Sequence, residues 1–468
     1  MMILAHAPML SVLGALVVSL ALFDRTGSLW CLFLAPVFAL GFSFLSYKEE
    51  TRGQWPVLAV VLLMALLCAL RIFCILDCPA EVPRSLQVEG TISLVRPWGD
   101  RNYVAVLDTP EGGFLLKLRF ATLTEGMRLK VEGITRPLKS ARRSGRFDEE
   151  RYWRARGVRS WLLPSKTETL PQSWSLPGIR YALYRKLVIY MPPLTGAYLR
   201  AAWIGQRDEK LYEAHRSWGT SHLLAVSGFH VGLVLLLISF FLDRRHVLLL
   251  SALLWGYILL TGAAPSALRA GLMVQAALLG QLLGRPSSSV NSVCLAAVLL
   301  LLHSPFLFWD IGWRLSVLAA LTLTLVYSVA GKKTWVWLLI SPAIALITFP
   351  QVAYTFKEFP VVGLLLNLFA PFIFSVALTF ASLLAALCFL GVPFMAWFLS
   401  WMEGGFVLWG WGAERLRSLL PWSISWAPFI AWIGTGALFL LLCRFLRLSA
   451  RQTVVLTLLG TLGSFWLF

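Results

Sequence analysis

Long apolar runs recur along the whole chain, among them Leu10–Phe23, Trp55–Leu70, Val231–Leu242 and Ala427–Cys443. Many extend to about 20 residues with few charges, the length a helix needs to cross a bilayer. In lipid the backbone must satisfy its own hydrogen bonds, so only helices and closed barrels span it. These runs are continuous rather than alternating, so helices are expected. The composition agrees: 58% of the 468 residues are hydrophobic and 14% are charged. The first run lacks a basic flank and is followed at once by others, so a cleaved leader is not expected.

One stretch breaks the apolar pattern for a hundred residues. Three candidate spans fall within residues 1–78 (about 7–23, 30–46 and 56–75), and a soluble segment follows over 79–176. That segment carries alternating pieces: Leu86-Gln-Val-Glu-Gly-Thr-Ile-Ser, Tyr103-Val-Ala-Val-Leu, Phe114-Leu-Leu-Lys-Leu-Arg-Phe and Arg128-Leu-Lys-Val-Glu-Gly. Turn residues separate them at Trp98-Gly-Asp, Asp108-Thr-Pro-Glu-Gly-Gly and Glu125-Gly. Short strands at roughly ten-residue spacing predict a small all-β barrel, and an OB-like barrel fits the size. Amphipathic interfacial helices are expected over 177–219 and a polytopic helical domain over 220–468. The predicted fold class is therefore an α-helical polytopic membrane protein of about 13 spans with an OB-like domain inserted near its N-terminus.

The net charge is +18, and Arg84–Lys186 holds 20 Lys/Arg against 10 Asp/Glu. Such an excess suits either anionic lipid headgroups or a polyanion such as nucleic acid. Placing Asp243-Arg-Arg-His, Gly284-Arg-Pro, Gly331-Lys-Lys-Thr and Arg444–Arg451 on the cytoplasmic side satisfies the positive-inside rule and puts the barrel outside. Arg415 and Arg417, near an outer end, run against that scheme. Val361–Leu390 would be about 45 Å as one straight helix, so a break or re-entrant turn is expected near Asn367 and Pro371. Cys74 and Cys78 could pair if their end faces an oxidising compartment, although their spacing on one helix strains the bond.

The apolar half is interrupted by groups that lipid does not favour. Gly219–Val231 reads GTSHLLAVSGFHV, at the head of a hydrophobic run. His222, Ser227 and His230 lie there; Arg269 follows the breakers Gly262 and Pro265; Asp310 and Arg314 are four apart; Gln351, Lys357, Glu358 and Asn367 complete the set. Ionisable groups at membrane depth usually face a protein interior or a water-filled path, and a set spread over several helices favours a shared path. Asp310 and Arg314 are expected to neutralise one another along one helix face. A Ser227/His230 hydrolase lacks an orienting acid nearby. No GxxxxGK[S/T], HxH or HExxH occurs, so no catalytic residue, cofactor or metal is expected.

Ser221-His-Leu-Leu-Ala-Val-Ser-Gly-Phe-His-Val resembles the signature of the ComEC competence proteins, inner-membrane channels for DNA uptake. Further elements follow that family's order: Ile204-Gly-Gln-Arg-Asp, Pro265-Ser-Ala-Leu-Arg-Ala, Pro305-Phe-Leu-Phe-Trp-Asp-Ile-Gly-Trp-Arg-Leu-Ser, and Asn367 with Pro371. Within the soluble segment, Gly145-Arg-Phe-Asp-x-x-Arg-Tyr-Trp-x-x-x-Gly-Val resembles the element after the family's barrel. Arg314 stands where the family usually has Gln.

The resemblance implies import of single-stranded DNA across the bacterial cytoplasmic membrane during natural transformation. His222, Ser227, His230, Arg269, Asp310, Arg314 and Asn367 would line the path. Arg96, Arg101, Lys117 and Arg119 of the barrel would neutralise phosphates, and Trp98 and Tyr103 would stack on bases or else fill the barrel core. Expected partners are single-stranded DNA, membrane lipid, a separate cytoplasmic ATPase or helicase, and a periplasmic DNA-binding protein. Many members carry a metallo-β-lactamase-like domain; with no HxHxDH here, a short form served by a separate nuclease is expected. The alternative function is a transporter or flippase for a small or lipid-linked anion, with an intramembrane hydrolase behind it.

Overall fold

The computed structural model describes residues 7–44, 55–77, 82–98, 102–118, 123–141, 147–224, 228, 231–232, 246–284, 288–331, 336–425, 427–446, 453 and 457. Helix α1 (Pro8–Thr26) opens the chain with proline in its first turn. It stops at Gly27, whose left-handed φ of 72° lets its N–H bond the Phe23 carbonyl. A 3₁₀ turn and α2 (Ala35–Phe44) follow, then α3 (Trp55–Leu76).

The soluble segment forms a closed barrel of five strands: β1 (Ser85–Pro97), β2 (Tyr103–Thr109), β3 (Gly112–Leu118), β4 (Arg128–Pro137) and β5 (Val158–Leu170). Their order is β1-β2-β3-β5-β4, with β1 also pairing antiparallel to β4 and a short parallel β3–β5 contact. Four strands coincide with the alternating pieces of the sequence. The fifth escaped that reading because its outer half, Ser165-Lys-Thr-Glu-Thr, has no apolar face. Ile92, Ala105, Leu107, Phe114, Leu116, Leu129 and Leu162 fill the barrel. The opposite faces of β2 and β3, with Val104, Val106 and Leu115, are covered by Trp153 of the short helix α4 (Glu149–Arg154), so these strands are apolar on both sides.

Helices α5 (Leu176–Tyr190), α6 (Pro193–Ile204) and α7 (Glu209–Ser217) lead to a 3₁₀ turn at Ser221–Leu224. Next come α8 (Val247–Leu260), α9 (Pro265–Leu282), α10 (Ser289–His303), a 3₁₀ turn at Pro305–Trp309, α11 (Ile311–Ala330) and α12 (Val336–Phe356). The chain continues through α13 (Val362–Phe389), α14 (Met395–Leu419) and α15 (Pro428–Phe445). The residues between α12 and α13 (Phe359–Pro360, β6) pair with Ser423–Ile424 (β7). Among the described residues, α1, α3, α11, α12 and α13 are long and apolar enough to cross a membrane; α2, α8, α10 and α15 are shorter apolar helices. Cys78 lies outside the described residues, as do most residues of the expected span after His222.

The helices pack as two groups. In the first, α1, the 3₁₀ turn after it, α2 and α3 bury Leu16, Leu20, Leu32, Ala39 and Ile72 against Val293, Val298 and Leu325 of α10 and α11. In the second, Tyr198, Leu211, Leu224, Phe374 and Phe406 join α6, α7, α13 and α14. The expected break near Asn367 is absent: α13 is a single helix of 28 residues, about 42 Å long, with Pro371 inside it. Proline removes one backbone donor, and the flanking apolar turns carry the helix across.

The barrel bridges both groups. Toward the second, Gly126 (φ 88°) lies so close to Gly178 of α5 that a Cβ there would sit 2.4 Å from the Gly178 Cα. Beside it, Glu125 lies 3.8 Å from Arg180 and accepts a 3.3 Å bond from Gln206, while Arg180 donates to the Ile204 carbonyl. Burial outweighs these partners and raises the Glu125 carboxyl above its usual range. Toward the first group, Arg151 pairs with Asp24 and lies over Trp309, and Arg154 lies over Phe306.

Candidate functional site

Below the barrel and between the two helix groups lies a cavity of about 2880 Å³. Among the described residues twelve Lys/Arg and six Asp/Glu line it, so this wall is markedly cationic. His222, Arg269, Asp310, Arg314 and Asn367 all line this one cavity. Ser227 and His230 lie outside the described residues.

Each of the five is placed by local rules. Asp208 caps α7 by accepting the Leu211 N–H, and α7 ends just before Gly219, where the backbone turns through φ 71°. His222 follows on the 3₁₀ turn, its side chain open to the cavity. The α8–α9 turn passes through Gly262 (φ 80°) and Ala263 (φ 52°) before Pro265 starts α9, as its breakers imply. One turn on, Arg269 is only 8% exposed; its Nε donates to Ser316 Oγ at 2.7 Å and its Nη1 reaches Met273 Sδ at 3.3 Å.

Asp310 does not pair with Arg314. It is the N-cap of α11, accepting the Trp313 N–H at 3.0 Å, and its second oxygen accepts from Arg156 at 2.9 Å. Arg314 turns back instead: Nε donates to the Phe308 carbonyl at 2.6 Å, Nη1 reaches Gln351 at 3.4 Å, and the guanidinium lies over the Phe308 ring. Capping fixes the carboxylate at the helix end, and an arginine 154 positions earlier claims its free oxygen. A double-mutant cycle checks this: Arg156→Ala with Asp310→Asn should return a coupling of about 1 kcal/mol, and Arg314→Gln with Asp310→Asn a clearly smaller one. The asparagine keeps the cap, so thermal unfolding reads the charge alone; equal couplings would contradict the assignment.

Asn367 acts across the fold. Its Nδ2 donates to the Gly219 carbonyl at 3.1 Å, and its Oδ1 is buried with no hydrogen-bond partner among the described residues. One turn earlier on α13, Gly363 meets Gly219 backbone to backbone; a Cβ on it would lie 3.1 Å from the Gly219 Cα and 3.2 Å from the Trp218 carbonyl. Two sequence elements about 150 residues apart thus form one latch.

The barrel residues fare differently. Arg96 lies over Trp98, Tyr152 and Trp153 (4.6–5.5 Å) and donates to the Tyr152 hydroxyl at 2.6 Å, so its charge is held inside an aromatic cluster. Trp98 is half-buried in the same cluster, against Phe147 and Trp153. Tyr103 is half-buried at the start of β2, and Lys117 is exposed on β3. None of these four lines the cavity. Arg101 and Arg119 lie outside the described residues.

Sequence reasoning passed over several cavity residues. Arg151, Arg154, Arg156 and Arg159 form a basic rim on and after α4, and Arg71 adds charge from α3, beside Lys357, which the sequence had already put forward. The signal was present in Arg151-x-x-Arg-x-Arg-x-x-Arg, but only the fold turns it toward the membrane helices. His215 was also missed. It is fully buried behind the Ser221–Leu224 turn, with Nε2 2.7 Å from the Tyr198 hydroxyl and Nδ1 2.8 Å from Thr220 Oγ1.

Residues 204–451 match the family model described as Competence protein. The chain is also 28% identical over 284 residues to ComE operon protein 3 of Bacillus subtilis (strain 168), a match covering 57% of this chain and 36% of that protein. The chain thus spans about a third of the length of the curated relative it matches. No solved structure matches it. The matched region takes in every cavity-lining residue of the Gly219, Arg269, Asp310 and Asn367 elements and exceeds half the sequence, and on that footing the chain belongs to the competence protein family.

Proposed function

We propose that the chain conducts single-stranded DNA across the bacterial cytoplasmic membrane during natural transformation, with the barrel outside. The observation that carries this reading is the cationic cavity between barrel and helices. It gathers residues from motifs scattered over a hundred and fifty positions, and the twelve basic groups among its described residues suit a strand that carries a charge on every phosphate. The path begins at the Arg151–Arg159 rim, passes His222, and continues by Arg269 and Arg314. Arg96 and Trp98 support the barrel rather than touch the strand; Lys117 stays available on its surface. A separate ATPase or helicase draws the strand in, a periplasmic protein delivers it, and a separate nuclease removes its complement.

The test is deletion of the gene in a transformable host. DNA should still bind at the cell surface, while transformants fall to background and incoming label never reaches the cytoplasm. Undiminished transformation in the deletion strain would refute the proposal. If transformation persists but export or turnover of a lipid-linked anion is lost, the flippase reading replaces it.

A further inference from the structure

Arg269 is the most unusual cation in the fold. It is 92% buried, yet among the described residues no carboxylate lies within ion-pair distance of it. Its recorded acceptors are one hydroxyl and one thioether, both uncharged. The nearest acid in the α11 sequence, Asp310, is already taken by its cap and by Arg156. On the other side the guanidinium packs against Gly228, where a Cβ would lie 3.6 Å from Nη2. The stretch around that glycine, Ala225–His230, contains no Asp or Glu at all. Burying an unpaired charge is expensive, and the usual remedy is a counter-charge. Among the described residues there is none, while the guanidinium lines the cavity.

We infer that Arg269, with the Ser316 hydroxyl, forms a binding site for a single phosphate-type oxyanion at the point where α9, α11 and Gly228 meet. A planar guanidinium presents paired N–H donors matched to two phosphate oxygens, and a hydroxyl beside it can donate to a third. The site has no base-reading surface: it recognises charge and oxygen geometry, and so accepts any nucleotide sequence. This assignment rests on the DNA-conducting reading for its natural ligand, a phosphodiester of the passing strand, but the anion site itself is tested without DNA.

The experiment uses full-length protein in detergent, treated with phenylglyoxal and read arginine by arginine by mass spectrometry. Inorganic tripolyphosphate at about ten times its Kd should slow modification of Arg269 roughly tenfold. A phosphodiester oligonucleotide should do the same, and its uncharged methylphosphonate counterpart should not. In Ser316→Ala half-maximal protection should require more tripolyphosphate, each protein being compared with its own ligand-free rate of modification. Unchanged labelling of Arg269 under both anions overturns the inference and leaves the transformation result untouched. Protection by tripolyphosphate but not by the oligonucleotide upholds the oxyanion site and counts against the DNA reading instead.

Discussion

Gly363→Val is expected to abolish transformation and to lower the melting temperature of the purified protein. The reason is geometric: the space beyond Gly363 is filled by the backbone of Trp218 and Gly219, not by a side chain that can rotate away. Overpacking of this kind costs about 1–3 kcal/mol where neighbours can adjust, and the rigid turn at Gly219 places this site at the upper end. That turn needs φ 71°, a conformation strained for any residue with a side chain, so it cannot yield without losing the α7 exit. Asn367→Leu removes only the bond to the Gly219 carbonyl and should cost less, about 1 kcal/mol. Transformation frequency measured beside protein abundance separates a displaced His222 segment from simple misfolding. Wild-type transformation and melting in Gly363→Val would show that the latch is dispensable.

The second large effect is a loss of stability in acid that depends on His215. Burial holds its imidazole down at about pKa 4, against an ordinary value near 6.5. The folded chain therefore binds fewer protons here than the unfolded chain between those two values. Its contribution is fully present above pH 6.5 and is lost as pH falls toward 4, at up to about 1.4 kcal/mol per pH unit and about 3 kcal/mol in all. Glu125 works in the opposite sense, because a raised carboxyl pKa favours the folded state at low pH. The measurement is therefore a difference: unfolding of wild type and of His215→Asn at pH 7.5 and 4.5. The variant should start less stable and lose much less on acidification. Parallel pH profiles would mean that His215 is already charged in the folded protein.

Much of this architecture is legible in residue order because its causes are local. Gly262 and Pro265 end one helix and start the next through backbone preferences that any chain shares. Four strands declare themselves by alternation, whereas Asp310, expected beside Arg314, instead caps α11. What escaped depends on distance along the chain. Arg156 reaches Asp310, Asn367 reaches Gly219, and Tyr198 reaches His215 only once separate elements have packed. Pro371 misled for a related reason: its ring signals a break, but α13 continues through it. The packing of Tyr152 and Trp153 over Arg96 and Trp98 is likewise a contact between distant residues that local spacing does not announce.

The barrel's two attachments have a mechanical corollary. One clasp, through Glu125 and Gly126, grips α5 and Gln206 just past α6; the other, through Arg151 and Arg156, grips α1 and the head of α11. A stiff closed sheet thus acts as a strut of fixed span between two helix groups. On the proposed reading, the width of the opening would follow this strut rather than the thickness or lateral pressure of the surrounding bilayer, and releasing either clasp would widen it.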